Sequence, residues 1–425
     1  MSESADLSPA RVPLSDLVEI DPEALPLTTD PNFTFQYIDI SSASNGRLSL
    51  EGPPVQFADA PSRARRVVRD GDVLMSTVRP NLKAFAYCDL PRGDFVASTG
   101  FAILRPKAGT DPRFVLNSIL SDDVARQIEK YVVGSNYPAI NTTDVARLGI
   151  PGFAPNRQRR IAEILSTIDE AIEHTETLIA KTQQIKTGLM HDLFTRGVTP
   201  DGGLSSVAGN KPTRFGPLPR GWTLGSLLDV SDESRQPILT GPFGADLGSD
   251  DFVPEGVPVL RIGNVQAGFL DLTDLLFVKP EKACDLGRYI IREGDLLFAR
   301  QGATTGRNAL ATQQVDGCLI NYHIIRVALD QKKCAPLFIE AALNNEVVKR
   351  QVERDKGRGT REGISTNQLK NLEVPLAPLA EQRKIAELIR ALDTRAASLD
   401  VHLFKLHQVK RGLTNALLMG RARME

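Results

Sequence analysis

Four short segments of this 425-residue chain hold the side chains whose types could do chemistry. Arg79-Pro80-Asn81-Leu82-Lys83 and Gly134-Ser135-Asn136-Tyr137-Pro138 lie in the first half. Arg300-Gln301-Gly302-Ala303-Thr304-Thr305-Gly306-Arg307 and Arg354-Asp355-Lys356-Gly357-Arg358-Gly359-Thr360-Arg361 lie in the second, the last with four cations against one anion. Arg and Lys donate to phosphates and guanine edges, Asn and Gln match adenine, and Gly lets backbone approach a duplex closely. The chemistry such residues could do is hydrogen-bonded recognition of DNA, and the candidates for it are Arg79, Asn81, Lys83, Asn136, Tyr137, Arg300, Thr304, Thr305, Arg307, Lys356, Arg358, Thr360 and Arg361. A basic loop is more often merely solvated. What favours a binding role is that such loops recur at matching places in two copies of one repeat, with different residues in each.

Catalytic chemistry finds no comparable set. Gly302 to Gly306 has the wrong spacing for a nucleoside-triphosphate loop and ends in Arg307 rather than Lys-Ser/Thr. There is no Asn-Pro-Pro-Tyr-type amino-methyltransferase motif and no Gly-rich cofactor loop after a strand. His174, His191, His323, His402 and His407 form no metal-ligand pattern, and Cys88, Cys284, Cys318 and Cys334 include no C-x-x-C pair. The net charge of −1 supplies no global basic field, so DNA contact must rest on local clusters or be shared with a partner. The start Met1-Ser2-Glu3 lacks a basic-then-apolar leader and no apolar run is long enough to span a bilayer, so a cytoplasmic protein without membrane contact is expected.

The elements that carry these segments are duplicated. Sliding the chain by 224 residues lays residues 140–194 on 364–418 without a gap, with about 16 of 55 positions identical. Gln158-Arg159 meets Gln382-Arg383, Ile161-Ala162-Glu163 meets Ile385-Ala386-Glu387, Asp169 meets Asp393 and Lys186 meets Lys410. Gly71-Asp72-Val73-Leu74 matches Gly294-Asp295-Leu296-Leu297 at an offset of 223, and Val12 to Ile20 resembles Trp222 to Val230. Each half is a mixed segment followed by a helical one. Residues 197–220, rich in Gly, Pro and Ser, read as a linker, and Trp222 behind them reads as a buried anchor for the next strand.

In the first helical segment Ile161, Leu165, Ile168, Ile172, Thr175, Ile179, Thr182, Lys186, Leu189 and Leu193 step by four and three. Ile385, Ile389, Leu392, Ala396, Leu399, Leu403, Leu406, Lys410, Leu413 and Leu417 repeat the rhythm. This is a coiled-coil seam. Connectivity predicts that the second helix runs back along the first as an antiparallel pair. Lys186 and Lys410 either snorkel or set the register. Residues 12–151 and 222–375 read as mixed α/β, with strands at Val73–Val78, Phe101–Leu104, Pro258–Ile262 and Ile324–Val327 and a helix around 112–131 and 335–354.

The pattern resembles the specificity (S) subunits of Type I restriction–modification systems over essentially the whole chain. The residues that carry the resemblance are Leu218-Pro219-Arg220-Gly221-Trp222, Gly294-Asp295-Leu296-Leu297-Phe298-Ala299-Arg300, Ser76-Thr77-Val78-Arg79-Pro80-Asn81, and above all Glu381-Gln382-Arg383-Lys384-Ile385-Ala386 with its twin Asn156-Arg157-Gln158-Arg159-Arg160-Ile161-Ala162. The first copy departs from the usual Glu-Gln pair at Arg157-Gln158, a change that bears on a local contact with a partner subunit. The resemblance implies an α+β fold of two pseudo-symmetric target recognition domains, residues 1–155 and 221–378. An antiparallel coiled coil of two spacer helices, 156–196 and 379–425, separates them. It implies a bipartite asymmetric target on double-stranded DNA and no catalysis in this chain. Two methyltransferase subunits and optionally two restriction subunits would bring S-adenosylmethionine, ATP and Mg, and Gln158, Arg159, Ile161, Gln382, Arg383 and Ile385 would serve the spacer helices and the partners.

Two other readings are a targeting subunit for a fused nuclease–methyltransferase and a coiled-coil scaffold that binds no DNA. If the helices act as a ruler, inserting one heptad into a helix widens the unread gap of the methylated motif and leaves both half-sites unchanged. Direct sequencing of methylated bases checks this, and an unchanged gap removes the ruler.

Overall fold

Val73–Ser76 is buried at every residue, so both faces of that strand need cover. The computed structural model describes residues 9–134, 138–208, 210–213, 216–357 and 363–421. The chain divides into two compact units, residues 1–177 with 400–425, and residues 178–399. In the first, Val18–Ile20, Phe101–Pro106, Val73–Ser76 and Phe85–Tyr87 form an antiparallel sheet in that order. Side chains alternate across it. Val73, Met75, Ala102 and Leu104 pack under helical Val115, Ile119 and Val124. Leu74 and Ile103 pack against Ile38, Val68 and Ala97 of a second four-stranded sheet. The unit is a helix layer on two sheets, closed by Arg11–Pro13 pairing antiparallel with Gly149–Pro151.

The second unit repeats each layer. Ile238–Thr240, Ile324–Val327, Leu296–Ala299 and Asn308–Leu310 form its antiparallel sheet. Leu296, Phe298, Ile325 and Val327 face the helices with Phe338 and Ile339. Leu297, Ala299 and Ile324 face the other sheet with Val259 and Leu319. In both units that other sheet has one parallel pair, Val96 opposite Tyr37 and Val259 opposite Leu319. Thr223–Gly225 with Val374–Leu376 closes the unit. The tandem α+β repeat is therefore present in three dimensions. Trp222 is buried at 1% exposure and meets Phe194 and Phe338 with ring centroids 5.7 and 5.5 Å away.

Several expected elements are shorter than the sequence pattern. The helix expected around 112–131 is two, Pro112–Leu120 and Asp122–Tyr131, because the Ser121 hydroxyl accepts from Val124 N–H and caps a new start. The one expected around 335–354 is Pro336–Leu343 and Glu346–Asp355, restarted by Asn345 accepting from Val347 N–H. The strand expected to reach Val78 stops at Ser76, whose hydroxyl donates to Val78 O. The strand expected to end at Ile262 spans Val257–Leu260.

Two long helices, Pro155–Arg196 and Leu379–Leu418, contribute turns to both units. Pro155 begins the first, and Gly197 at φ 74° follows its end. No predicted seam residue of either helix is fully exposed, and Ile161, Leu165 and Ile385 have 0% exposure. Pairing is antiparallel within each unit. In the first, Ile161 and Leu165 join Leu413, Leu417 and Leu418, and Asp169 accepts from Lys410 Nζ at 2.5 Å. In the second, Leu193 joins Ile385 and Ile389, and Lys186 pairs with Asp393. The two ion pairs use repeat-equivalent residues, with the lysine drawn from opposite copies. Such half-exposed pairs contribute roughly 0.2–1 kcal/mol each, so register is their main effect.

Each long helix is rooted by a buried glutamine. Gln158 accepts from Asp111 N–H at 3.1 Å and donates to Phe153 O at 2.8 Å. Gln382 accepts from Ala335 N–H at 3.0 Å and donates to Ala377 O at 2.8 Å. The departure at Arg157 has a local cause: its guanidinium lies 4.3 Å from the Phe153 ring centre. The equivalent Glu381 instead accepts from Val198 N–H at 2.7 Å, tying down the linker, whose Val198 and Leu218 are buried.

A buried carboxyl is one place where the duplication breaks. Glu340 is 7% exposed, accepts from Leu310 N–H at 3.0 Å, and neighbours the Asn308–Asn344 pair. The corresponding first-copy residues are Leu116, Phe85 and Leu120. Burial pushes the Glu340 carboxyl up to about 7, against the Leu310 N–H bond and the charge of Lys186, while Asp393 adds to the rise. The fold favours the neutral acid, so this contribution is intact below pH 4.5 and is lost as pH rises through about 7. The loss is on the order of 3 kcal/mol. Glu340→Gln keeps the acceptor and removes the ionisation. Its denaturant midpoint is expected to exceed that of the wild type at pH 8 and to approach it at pH 5.

Candidate DNA interface

Each central strand ends at the same kind of tip, held by the same long-range bonds. In the first unit Thr77 N–H donates to Gly100 O, Ile140 N–H donates to Thr77 O, and Val78 bridges Ala139. In the second, Arg300 N–H donates to His323 O, Ile364 N–H donates to Arg300 O, and Gln301 bridges Gly363. These bonds tie each tip to the stretch that ends or follows the second candidate segment of its unit. Segment 76–83 lies beside residues 138–140, and segment 299–307 beside residues 363–364.

The tips share a backbone path. Leu82 N–H donates to Arg79 O at 2.9 Å, as Thr305 N–H does to Gly302 O at 3.1 Å. Arg79 and Lys83 are left-handed at φ 47° and 51°, and their counterparts Gly302 and Gly306 are left-handed at 71° and 96°. Glycine adopts this conformation without penalty, whereas a side chain there stores on the order of 1 kcal/mol. The first copy thus keeps cations at two positions where the second keeps none.

The predicted residues divide by direction. Arg79 and Asn81 are exposed at the first tip. Lys83 turns inward, its ammonium donating to Leu120 O at 2.9 Å at the end of the helix Pro112–Leu120. Asn136 and Tyr137 lie outside the described residues. In the second unit the Thr304 and Thr305 hydroxyls donate to Gln301 O and Gly302 O and so serve their own turn. Arg307 is exposed and donates to Gln266 Oε1 at 2.6 Å. Lys356 pairs with Glu353 at 2.7 Å and Arg354 with Asp355, which reduces the excess charge expected of that segment. Arg358, Thr360 and Arg361 lie outside the described residues. Of the spacer residues, Gln158, Ile161, Gln382 and Ile385 are buried, while Arg159 and Arg383 face outward.

Arg300 is half-buried. Among the described residues its guanidinium donates one long 3.4 Å bond to Tyr322 O and its buried Nε meets no partner, and burial draws its pKa down. Beside it the Gln301 carbonyl lies 2.6 Å from His323 Nδ1. Burial and the Arg300 charge hold the imidazole pKa down. Phe243 and Tyr322, 59% and 38% exposed, stand with ring centres 6.3 Å apart. Sequence reasoning missed Gln301, Tyr322, His323, Phe243 and Gln266. The available signal was aromatic residues inside Gly241-Pro242-Phe243-Gly244 and Asn321-Tyr322-His323, turn chemistry where no core needs them.

Among the described residues, no three His, Cys, Asp or Glu side chains are grouped to hold a metal, and no helix is long and apolar enough to cross a membrane. The profile of the Type I restriction modification DNA specificity domain matches residues 12–184 and 246–400. The MjaVIII type I restriction enzyme specificity subunit of Methanocaldococcus jannaschii is 24% identical over 295 residues, covering 69% of this chain and 66% of that protein. The EcoKI specificity subunit of Escherichia coli K12 is 23% identical over 321 residues, covering 74% and 66%. A chain solved in work on assembly and conformational transition of the type I R-M system shares the fold, with a TM-score of 0.60 at 22% identity over 98% of both chains. The type I S subunit of M. genitalium does so with a TM-score of 0.59 at 15% identity, over 100% of this chain and 99% of that one. With its matched segments covering both repeats, this chain belongs to the family of type I restriction–modification DNA specificity domains.

Proposed function

We propose that this chain is the DNA-reading subunit of a type I restriction–modification complex in the cytoplasm. Each repeat reads one half of a bipartite, asymmetric double-stranded site. The chain has no catalytic centre of its own. Two methyltransferase subunits, and restriction subunits where present, dock on it and bring S-adenosylmethionine, ATP and Mg. The observation that carries this reading is the shared tip, in which one backbone frame recurs with different polar side chains. Arg79 and Asn81 occupy it in the first copy, and Arg300, Gln301 and Arg307 in the second. One frame with two sets of donors fits two different half-sites. Near-neutral net charge fits shared contact with a partner, because phosphate affinity then need not come from this chain alone.

The test is co-expression with the methyltransferase subunit followed by direct sequencing of methylated bases. Wild type is expected to mark one bipartite motif. Arg79→Ala with Asn81→Ala relaxes one half-site, lowering affinity for it about 10- to 100-fold, since one base contact contributes roughly 1–3 kcal/mol. The other half-site stays as it was. A motif indifferent to these changes, or binding equally tight without the methyltransferase, counts against the proposal.

A further inference from the structure

We propose that Arg300, Gln301 and His323 together read a guanine in the half-site of the second unit. The inference rests on the DNA-reading function above and names the base that this tip selects. In the shared frame these three residues stand where the first unit has Thr77, Val78 and Gly100. None of those three offers an outward donor of comparable reach, and the Thr77 hydroxyl is already bonded to Gly100 O at 2.9 Å.

The donor pattern follows from the local bonds. Gln301 Oε1 can only accept, so His323 Nδ1 carries the proton at their 2.6 Å contact. That contact engages the amide oxygen and leaves the NH2 as the group Gln301 presents. A glutamine free at both ends would match adenine, which sets an acceptor beside a donor. This one has its oxygen held by His323, so its NH2 donors are what it presents first. Arg300 adds further donors, and unlike Arg235, Arg261 and Arg354 it has no carboxylate partner among the described residues. Arg235 pairs with Asp295 at 2.8 Å, Arg354 pairs with Asp355 at 2.7 Å, and Arg261 pairs with Asp274. A half-buried guanidinium without a countercharge favours an acceptor brought from outside. Guanine is the base that shows two adjacent acceptors, O6 and N7, and no donor in the major groove beside them. Phe243 and Tyr322 flank the position with exposed rings that would exclude water from the contact.

The experiment uses the complex of this chain with its methyltransferase subunit and duplexes carrying the mapped motif. The relevant half-site is the one that Arg79→Ala leaves unchanged. It is expected to contain a guanine whose replacement by 7-deazaguanine, which lacks the N7 acceptor, weakens binding by wild-type protein about tenfold or more. Replacement of that guanine by adenine is expected to weaken it further. Arg300→Lys keeps the charge but loses the forked donor, and Gln301→Glu turns the donor into an acceptor. Both are expected to bring the guanine and adenine duplexes within about threefold of each other. A half-site without guanine overturns the inference, as does unchanged discrimination in both variants with no effect of 7-deazaguanine, and either result leaves the DNA-reading function standing. A complex that marks no bipartite motif removes both.

Discussion

A primary amide buried in protein must use both its ends, and two such amides fix how the long helices leave their domains. Gln158 takes the N–H of Asp111 and gives to Phe153 O, and Gln382 does the same with Ala335 and Ala377. At 2% exposure, losing either partner would strand a polar group at a cost of roughly 1–3 kcal/mol. The helix direction is therefore set at its root, within the unit. Only then can the heptad stripe meet its partner, with Asp169–Lys410 in one unit and Lys186–Asp393 in the other selecting the register. A glutamine at this place orients the helix, whereas the leucines and isoleucines that follow supply most of the burial.

How much of this was legible in the sequence depended on range. The 3.5-residue rhythm of Ile161 to Leu193 is a property of the helix alone, so every seam position could be assigned and none is fully exposed. The central strands were legible for the same local reason. The restarts at Ser121 and Asn345 were hidden because amphipathic spacing carries on across them, and the capping hydroxyl or amide is decided by geometry. Glu340 was hidden as well: a glutamate in an apolar helix looks like a surface residue until Leu310 N–H is found to need it.

The candidate interface was legible as loops and not as directions. Lys83 looked like a contact residue, yet a helix-terminal carbonyl, Leu120 O, draws its ammonium inward. The pairing of residues 76–83 with 138–140 joins positions about sixty apart, and no local pattern announces it. The same holds for Arg300, whose half-buried state depends on Tyr322 and Ile364 reaching it from other strands and loops.

The shared tip separates shape from letter. Its path is fixed by main-chain bonds at Thr77 and Arg300 that any side chain can make, and glycines at 302 and 306 show that the frame survives without the cations of the first copy. If the tips read DNA as proposed, a lineage carrying this protein acquires a new address on the genome by a few substitutions at tip positions while folding stays as it was. The left-handed backbone of Arg79 and Lys83 marks where that freedom is narrowest, since β-branched residues would strain there. Vocabulary at those two positions is limited by the chain's own geometry before any duplex is consulted.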